Sequence, residues 1–392
     1  MHKILTLILA GLSMVGPLAI DTYLPSFPAI GAHFAVSPLL MQQTLSMFLF
    51  TFAFMMLFYG TLSDSFGRRP IILISLVIYT LASAGAAMAP SFGWLLVCRA
   101  LQGLAAGAGT VVGRAIVQDR FTGHEAQQIV SQMMMIFGLA PAIAPILGGW
   151  LHVTFGWRAT FVFLALFGLM MLVVSYRSLP ESLPKHARDP FRFGAIVRNY
   201  WKVLKHAQFV LLALSLGIAF SGFGLYIGSA AYFVMNILHL PETAFGWMFI
   251  PLVTGLVGGS IITGKFAATV KPMKMVVAGY LVMFASAIGS MVYNHLFAAA
   301  VPWAVIPLFV YSFGLALVLA PISVIGLALF PDNRGLAASL QAFIQTLCFA
   351  VVSGVVAPLV FESAFRLACG VFGALIISLV CLLLARPGSL PD

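Results

Sequence analysis

The sequence predicts an all-α polytopic membrane protein with twelve transmembrane helices, and three observations carry that prediction. Of its 392 residues 62% are apolar and only 8% are charged, against roughly 25% charged in a soluble domain. The chain offers twelve apolar stretches near the ~20 residues that a helix needs to cross a bilayer core. Lysine and arginine collect on one side of that alternating pattern, as the positive-inside rule expects. Together these exclude a soluble domain and give the net charge of +10 a topological origin, so no nucleic acid is needed as a partner.

The spans read as 4–27, 40–62, 71–89, 93–116, 127–151, 159–176, 208–235, 245–268, 273–293, 302–329, 335–361 and 365–385. The tenth and eleventh run long, so tilting or breaking is expected there. No small-residue cleavage site follows the first apolar core, which therefore reads as a span and not as a signal peptide. With the N-terminus cytoplasmic, sixteen of the twenty basic residues fall inside, only Arg158 and Arg366 outside, and Arg99 and Arg114 within spans. Both termini are expected in the cytoplasm. Cys98, Cys348, Cys369 and Cys381 lie in spans without C-x-x-C spacing and read as small apolar residues. The eight histidines sit in loops or at span ends, none mid-span beside an acid. Neither a metal nor a cofactor is expected.

The first span ends in IDTYLPSFP, residues 20–28. Asp21 is the one carboxylate placed well inside any span, and a charged aspartate near mid-bilayer costs ~2.5–3.5 kcal/mol on insertion scales. Two readings fit. Desolvation disfavours the charged form of a carboxylate, so such a group can exchange a proton with whichever side it faces; alternatively, Asp21 caps a helix end at the outer interface. Pro25 and Pro28 suggest a broken helix end lining a cavity.

Spans two and three are joined by GTLSDSFGRRP, Gly60–Pro70. It reads as a short cytoplasmic loop in which Gly60 and Gly67 permit close backbone approach and Arg68 and Arg69 mark the inner side. In the fourth span Arg99 and Gln102 lie one helical face apart, at i and i+3. Gly103 with Gly107 and Gly109 with Gly113 are small-residue pairs that permit tight packing. An arginine here must face the bundle interior or a wet cavity; a purely structural Arg99 bonded to neighbouring carbonyls is the competing reading. At the inner end of that span, Asp119 is the candidate partner of Arg68 or Arg69. Exposed, such a pair is worth at most ~1 kcal/mol, enough to bias an equilibrium. Asp64 suits a helix N-terminus, with the eleventh span near Asn333–Gly335 as candidate.

The fifth span carries Gly138, Pro141, Pro145, Gly148 and Gly149, from which a kinked, closely packed helix is expected. The sixth ends at Leu179–Pro184, and residues 177–207 hold seven basic and two acidic residues. They read as a cytoplasmic linker with an interfacial helix on anionic lipid, between six-span halves at 1–176 and 208–392. The second half repeats the plan weakly: Gly264, Lys265, Lys271 and Lys274 stand where the Gly60 loop recurs, without its acid or paired arginines. No carboxylate occurs within its spans from 208 to 360, so any proton coupling would rest on the first half. Candidate cavity residues are Tyr23, Gln102, Met134, Tyr226, Tyr232, Tyr311 and Gln345, chosen as polarizable or amphipathic side chains suited to an adaptable site. Lipid contact or core packing competes for each.

Gly60–Pro70 resembles the loop signature of the major facilitator superfamily, G-x-L-x-D-x-x-G-R-[RK], at every defining position. Arg99–Gly103 resembles its R-x-x-Q-G motif. Gly138–Gly149 is similar to its antiporter motif, G-x-x-x-G-P-x-x-G-G, departing at Ala142 and in the Ile146-Leu147 insertion. Asp21–Pro28, the Leu179–Pro184 ending and Pro331–Gln341 look like the Bcr/CflA drug:proton antiporters. The resemblance implies two pseudo-symmetric six-helix bundles rocking around a midplane site. It further implies proton-driven efflux of amphipathic drugs or small metabolites, such as phenicol- or bicyclomycin-like antibiotics, by a monomer in the bacterial inner membrane. Asp21 and Arg99 would couple protons; Gly60, Asp64, Gly67, Arg68, Arg69 and Asp119 would form a conformational latch. A proton symporter importing a nutrient is the alternative. A polytopic enzyme or receptor is a further one, and the lack of a second deep acid or a His/Cys cluster speaks against it.

Overall fold

Hydrocarbon cannot hydrogen-bond a peptide group, so a segment that crosses a bilayer closes its backbone bonds on itself as a helix. The computed structural model describes residues 2–188, 190–267 and 269–386, and no strand occurs among them. Twelve helical stretches among the described residues are long and apolar enough to cross a membrane, from Ile4–Phe34 to Ala364–Ala385. The chain divides into two compact units, Met1–Ile196 and Val197–Asp392.

The first unit contains α1 (His2–Asp21), α2 (Phe27–Phe34), α3 (Pro38–Met56), α4 (Tyr59–Phe66) and α5 (Arg68–Ala87). It continues with α6 (Phe92–Ala106), α7 (Ala108–Arg120), α8 (Gly123–Phe155) and α9 (Arg158–Ser178). Helix α1 packs on α8, α3 on α6, and α5 on both α6 and α9. A basic helix, α10 (Phe193–Leu204), spans the division. The second unit holds α11 (Ala207–Gly228), α12 (Ala230–Tyr232), α13 (Gly246–Phe266), α14 (Pro272–Leu296) and α15 (Ile306–Ala328). It ends with α16 (Arg334–Val351), α17 (Ala357–Val360) and α18 (Ala364–Ala385). There α15 packs on α13 and α14, and α11 on α16 and α18.

Several boundaries differ from the sequence expectation, each for a local reason. The Gly60–Pro70 stretch is not an open loop. The second span stops at Met56, α4 forms a separate two-turn helix, and Gly67 alone separates α4 from α5. Gly67 has φ +100°, a conformation that L side chains rarely adopt, so one residue reverses the chain. The first span does not finish near Phe27: after Asp21 it breaks, turns through a 3₁₀ segment at Leu24–Ser26, and resumes as α2 to Phe34. Pro25 and Pro28 occupy opening positions of these two segments, where the missing N–H leaves nothing unsatisfied. Helix α8 runs on through Pro141 and Pro145 without interruption. The tenth span begins at Ile306 instead of 302, and the eleventh changes to π-helix over Val352–Val356. A second π segment, Phe233–Ile237, follows α12. Ser37 and Ser91 start α3 and α6 by accepting the amides of Leu40 and Trp94, each at 3.3 Å, as N-caps do.

The close approach of α3 and α6 is set at Gly103. A Cβ there would run into the Phe48 carbonyl oxygen and the Thr51 hydroxyl. Thr51 Oγ1 bridges the same gap by donating to the Ala100 carbonyl at 2.9 Å. Gly103→Ala is expected to cost ~1–3 kcal/mol through overpacking and to lower the unfolding temperature in detergent. Gly264→Ala, where no atom lies within 4 Å of the new Cβ, should leave it unchanged. Equal unfolding temperatures for the two variants would show that the missing side chain at Gly103 does not set the separation of these helices.

Candidate functional site

The deepest polar constellation of the first unit is built around Arg99, whose side chain is fully buried. Its Nη1 donates to the Gln102 amide oxygen at 2.8 Å and to the Ala19 carbonyl at 3.0 Å, and its Nε donates to the Thr44 carbonyl at 3.4 Å. The guanidinium carbon lies 4.1 Å from the Tyr23 ring centroid and 4.4 Å from that of Phe48, so two π-faces add electrostatic stabilisation. Gln102 passes the arrangement outward: its Nε2 donates to Ser83 Oγ at 2.7 Å, and Ser83 donates to the Tyr79 carbonyl at 2.7 Å. Tyr23 and Thr44 share a hydroxyl contact of 3.1 Å. One cation thereby ties α1, α3, α5 and α6 together.

Asp21 ends α1 two residues after the carbonyl that Arg99 holds, and it is 2% exposed. No ion pair joins it to Arg99, and its Oδ1 has no hydrogen-bond partner; neither does Nη2 of Arg99. Thr22 Oγ1 and Ser26 Oγ, on the same broken turn, are also buried without partners. Thr22 meets the fifth span here. A Cβ on Gly148 would run into the Thr22 carbonyl oxygen, so the absence of a side chain at Gly148 is what lets α8 lie against the turn that carries Asp21. Pro145 and Gly149 are buried beside it, whereas Gly138 and Pro141 are half-buried and Gly138 has open space at its Cβ position.

A second cluster gathers at the α4–α5 turn. The Arg68 side chain, 9% exposed, pairs with Asp64 and places Nε 3.1 Å from Asp119 Oδ2, while its Nη1 donates to Ser63 Oγ at 2.7 Å. Arg69 does not take Asp119: it donates to the Tyr176 carbonyl at 2.7 Å and lies over that tyrosine's ring. Asp64 is bound within its own unit, to Arg68. The residues after α9 close over this cluster. Ser182 donates to Asp119 Oδ2 at 2.6 Å, and Arg120 donates to the Glu181 carbonyl at 2.8 Å. Glu181 Oε1 accepts the amides of Arg68 and Leu183, each at 3.0 Å, so a carboxylate sits at the N-terminus of α5, where the helix dipole favours it. Gly60 contributes its carbonyl, which accepts from Ser63 at 2.9 Å.

The structure brings Tyr23, Arg99 and Gln102 into contact, with Asp21 buried at the end of α1 and not bonded to Arg99, and it gathers Gly60, Asp64, Gly67, Arg68 and Asp119 at the α4–α5 turn. Among the remaining cavity candidates, Tyr226 and Tyr311 are buried in the second unit, beside Ser286 and Ser290; Tyr311 donates to the Ala219 carbonyl at 2.7 Å. Tyr232 and Gln345 are half-buried and Met134 is exposed. Sequence reasoning did not single out Thr44, Phe48 and Ser83 around Arg99, nor Glu181 and Ser182 as partners of the α4–α5 turn. The one usable signal was Glu181, the acid in the Leu179–Pro184 ending.

Twelve helices long and apolar enough to cross a membrane give the described residues the architecture of a polytopic membrane protein. The chain belongs to the major facilitator superfamily, whose sequence profile matches residues 9–353. Its relatives place it in the Bcr/CflA branch. A bicyclomycin resistance protein homolog of Haemophilus influenzae is 30% identical over 283 residues, 72% of this chain and 71% of that protein. An uncharacterized MFS-type transporter of Bacillus subtilis is 30% identical over 355 residues, covering 90% and 88%. Multidrug resistance protein D of Escherichia coli is 28% identical over 258 residues, covering 62% and 64%. The crystal structure of a D-xylose-proton symporter superposes with a TM-score of 0.75 over 99% of this chain and 100% of that one. At 15% identity that likeness speaks for the fold alone. Membership of this transporter family answers the enzyme and receptor alternatives.

Burial ranks the two partners of Arg68. Asp64's side chain is 44% exposed, while Asp119's is 21% exposed and accepts from Ser182 as well. A double-mutant cycle with alanine at Arg68 and Asp119 should give a coupling of ~1–2 kcal/mol in detergent unfolding. The corresponding Arg68–Asp64 cycle should give under ~1 kcal/mol, the value of a surface pair. A larger value for Asp64 would reverse the ranking.

Proposed function

We propose that this protein exports amphipathic drugs or small metabolites in exchange for protons, with Asp21 as the proton carrier. The observation that carries the proposal is the state of Asp21: buried, without a cation, its Oδ1 unbonded, on a helix that breaks immediately after it. An uncompensated buried charge costs several kcal/mol, and a carboxyl can avoid that cost by carrying a proton. Its neighbours Thr22 and Ser26 offer unpartnered hydroxyls along which a proton or water can approach.

Arg99 is the second component. It already holds the Ala19 carbonyl on the last turn of α1, and its free Nη2 leaves one donor uncommitted. Drawn onto the carboxylate, that donor would favour release of the proton; held back on Ala19, Thr44 and Gln102, it leaves Asp21 free to take one up. The cycle is then proton uptake by Asp21 from the outer side, cargo entry from the cytoplasm or inner leaflet, and proton release inward to reset. Coupling requires the proton to bind loaded and empty forms, or the two access states, with different affinity. The direction of transport is supported by the antiporter-like sequence of α8, its Gly148 contact at Thr22, and relatives named for bicyclomycin, multidrug and chloramphenicol resistance. The energy source in this scheme is the proton gradient, the working unit is a monomer, and both termini are cytoplasmic.

The test is proton release from detergent-purified protein when phenicols and other amphipathic drugs are added. Wild type should release protons on binding a cargo, and Asp21→Asn should bind the same cargo while releasing none. Release that persists in a folded Asp21→Asn protein would move the coupling group elsewhere and overturn the mechanism.

A further inference from the structure

Outside the sites above, a cavity of about 500 Å³ opens between the first turns of α5 and the segment after α9. Its polar side presents Arg69, Lys185 and Arg188; its apolar side presents Leu73, Ile74 and Leu183. We propose that this cavity binds the phosphodiester headgroup of an anionic phospholipid, with an acyl chain lying along Leu73 and Ile74.

Charge comes first. Among the described residues the one acid lining the cavity is Glu181, and both its oxygens are committed: Oε1 to two backbone amides and Oε2 to Arg188 at 3.4 Å. Three cations therefore face a single, already occupied carboxylate. Geometry comes second. Arg69, Lys185 and Arg188 line one space, and two guanidinium groups and an ammonium so placed suit the oxygens of a phosphate, which arginine bonds in charge-assisted pairs.

The apolar side distinguishes a lipid from a free phosphate. Arg69 stands in the first turn of a helix that crosses the membrane, at the level where headgroups lie. Ile74, one turn further along, is 56% exposed, so the cavity opens toward the hydrocarbon. An inorganic phosphate would leave that apolar surface uncovered. A diacyl phosphodiester covers it and sets its phosphate against the three cations.

Native mass spectrometry of the detergent-purified full chain tests this. Titrants are phosphatidylglycerol, phosphatidylcholine of the same chains, and inorganic phosphate. Phosphatidylglycerol should bind at least tenfold tighter than phosphatidylcholine. Lys185→Gln/Arg188→Gln should weaken phosphatidylglycerol about tenfold and leave phosphatidylcholine unchanged. Because Arg188 also holds Glu181, Lys185→Gln alone guards against a folding artefact: it should weaken binding at least threefold, with Lys185→Arg restoring it. Lys265→Gln/Lys274→Gln removes equal charge from the second unit and should change binding less than twofold. Equal affinity for the two lipids, or an equal loss in the Lys265/Lys274 variant, would reduce the effect to general basicity and overturn the site. Inorganic phosphate binding as tightly as phosphatidylglycerol would overturn the lipid and leave a soluble phosphate ligand.

Discussion

A polar group carried into hydrocarbon finds no water to bond, so each must be matched inside the protein, and Arg99 is the most demanding case in this chain. A buried charge without compensation costs far more than a single helix contact returns. The first unit meets that demand by drawing acceptors from several helices: the Ala19 carbonyl from α1, the Thr44 carbonyl from α3, and Gln102 from its own helix, with the Tyr23 and Phe48 rings against the guanidinium. Gln102 in turn needs Ser83 on α5. Satisfying one guanidinium therefore fixes four helices against each other, and glycines at their crossings let the backbones come near enough for it to happen.

The α4–α5 turn follows other rules, because water competes there. Individual pairs on partly exposed carboxylates are weak, yet Arg68, Asp64, Asp119, Ser182 and Glu181 form one connected set. Gly67 has no room for a side chain within it: a Cβ there would meet Glu181 and Arg188, besides the strain of its positive φ. The segment after α9 is accordingly part of the first unit's structure. Its acid serves three donors at once, and removing it would uncap α5 and free Arg188 together.

Periodicity and composition made the spans legible, because a helix in hydrocarbon has to be about twenty apolar residues long. The Arg99–Gln102 contact was legible too, since i and i+3 share a helix face whatever surrounds them. The charges at Arg68 and Asp119 were legible as opposite signs at neighbouring span ends. Thr44, Phe48 and Ser83 were not, because they meet Arg99 or Gln102 only through the packing of α3, α5 and α6, and nothing in their local sequence marks them. The helical state of Gly60–Phe66 was hidden for the opposite reason. Two glycines and several small polar residues read as a turn, while one glycine, Gly67, is enough to make it.

The contact between Gly148 and the Thr22 carbonyl joins these separate features into one path. Thr22 follows Asp21 directly, and Asp21 lies one half-turn beyond the carbonyl that Arg99 holds. Interiors are packed closely enough that neighbours cannot slide past each other freely. A side chain at Gly148 would therefore displace the broken turn that carries Asp21. Proline-rich α8 lacks two of its own backbone donors, at Pro141 and Pro145, which makes it the helix in this unit best suited to bend. The span with two internal prolines thus lies directly against the turn that carries the buried Asp21.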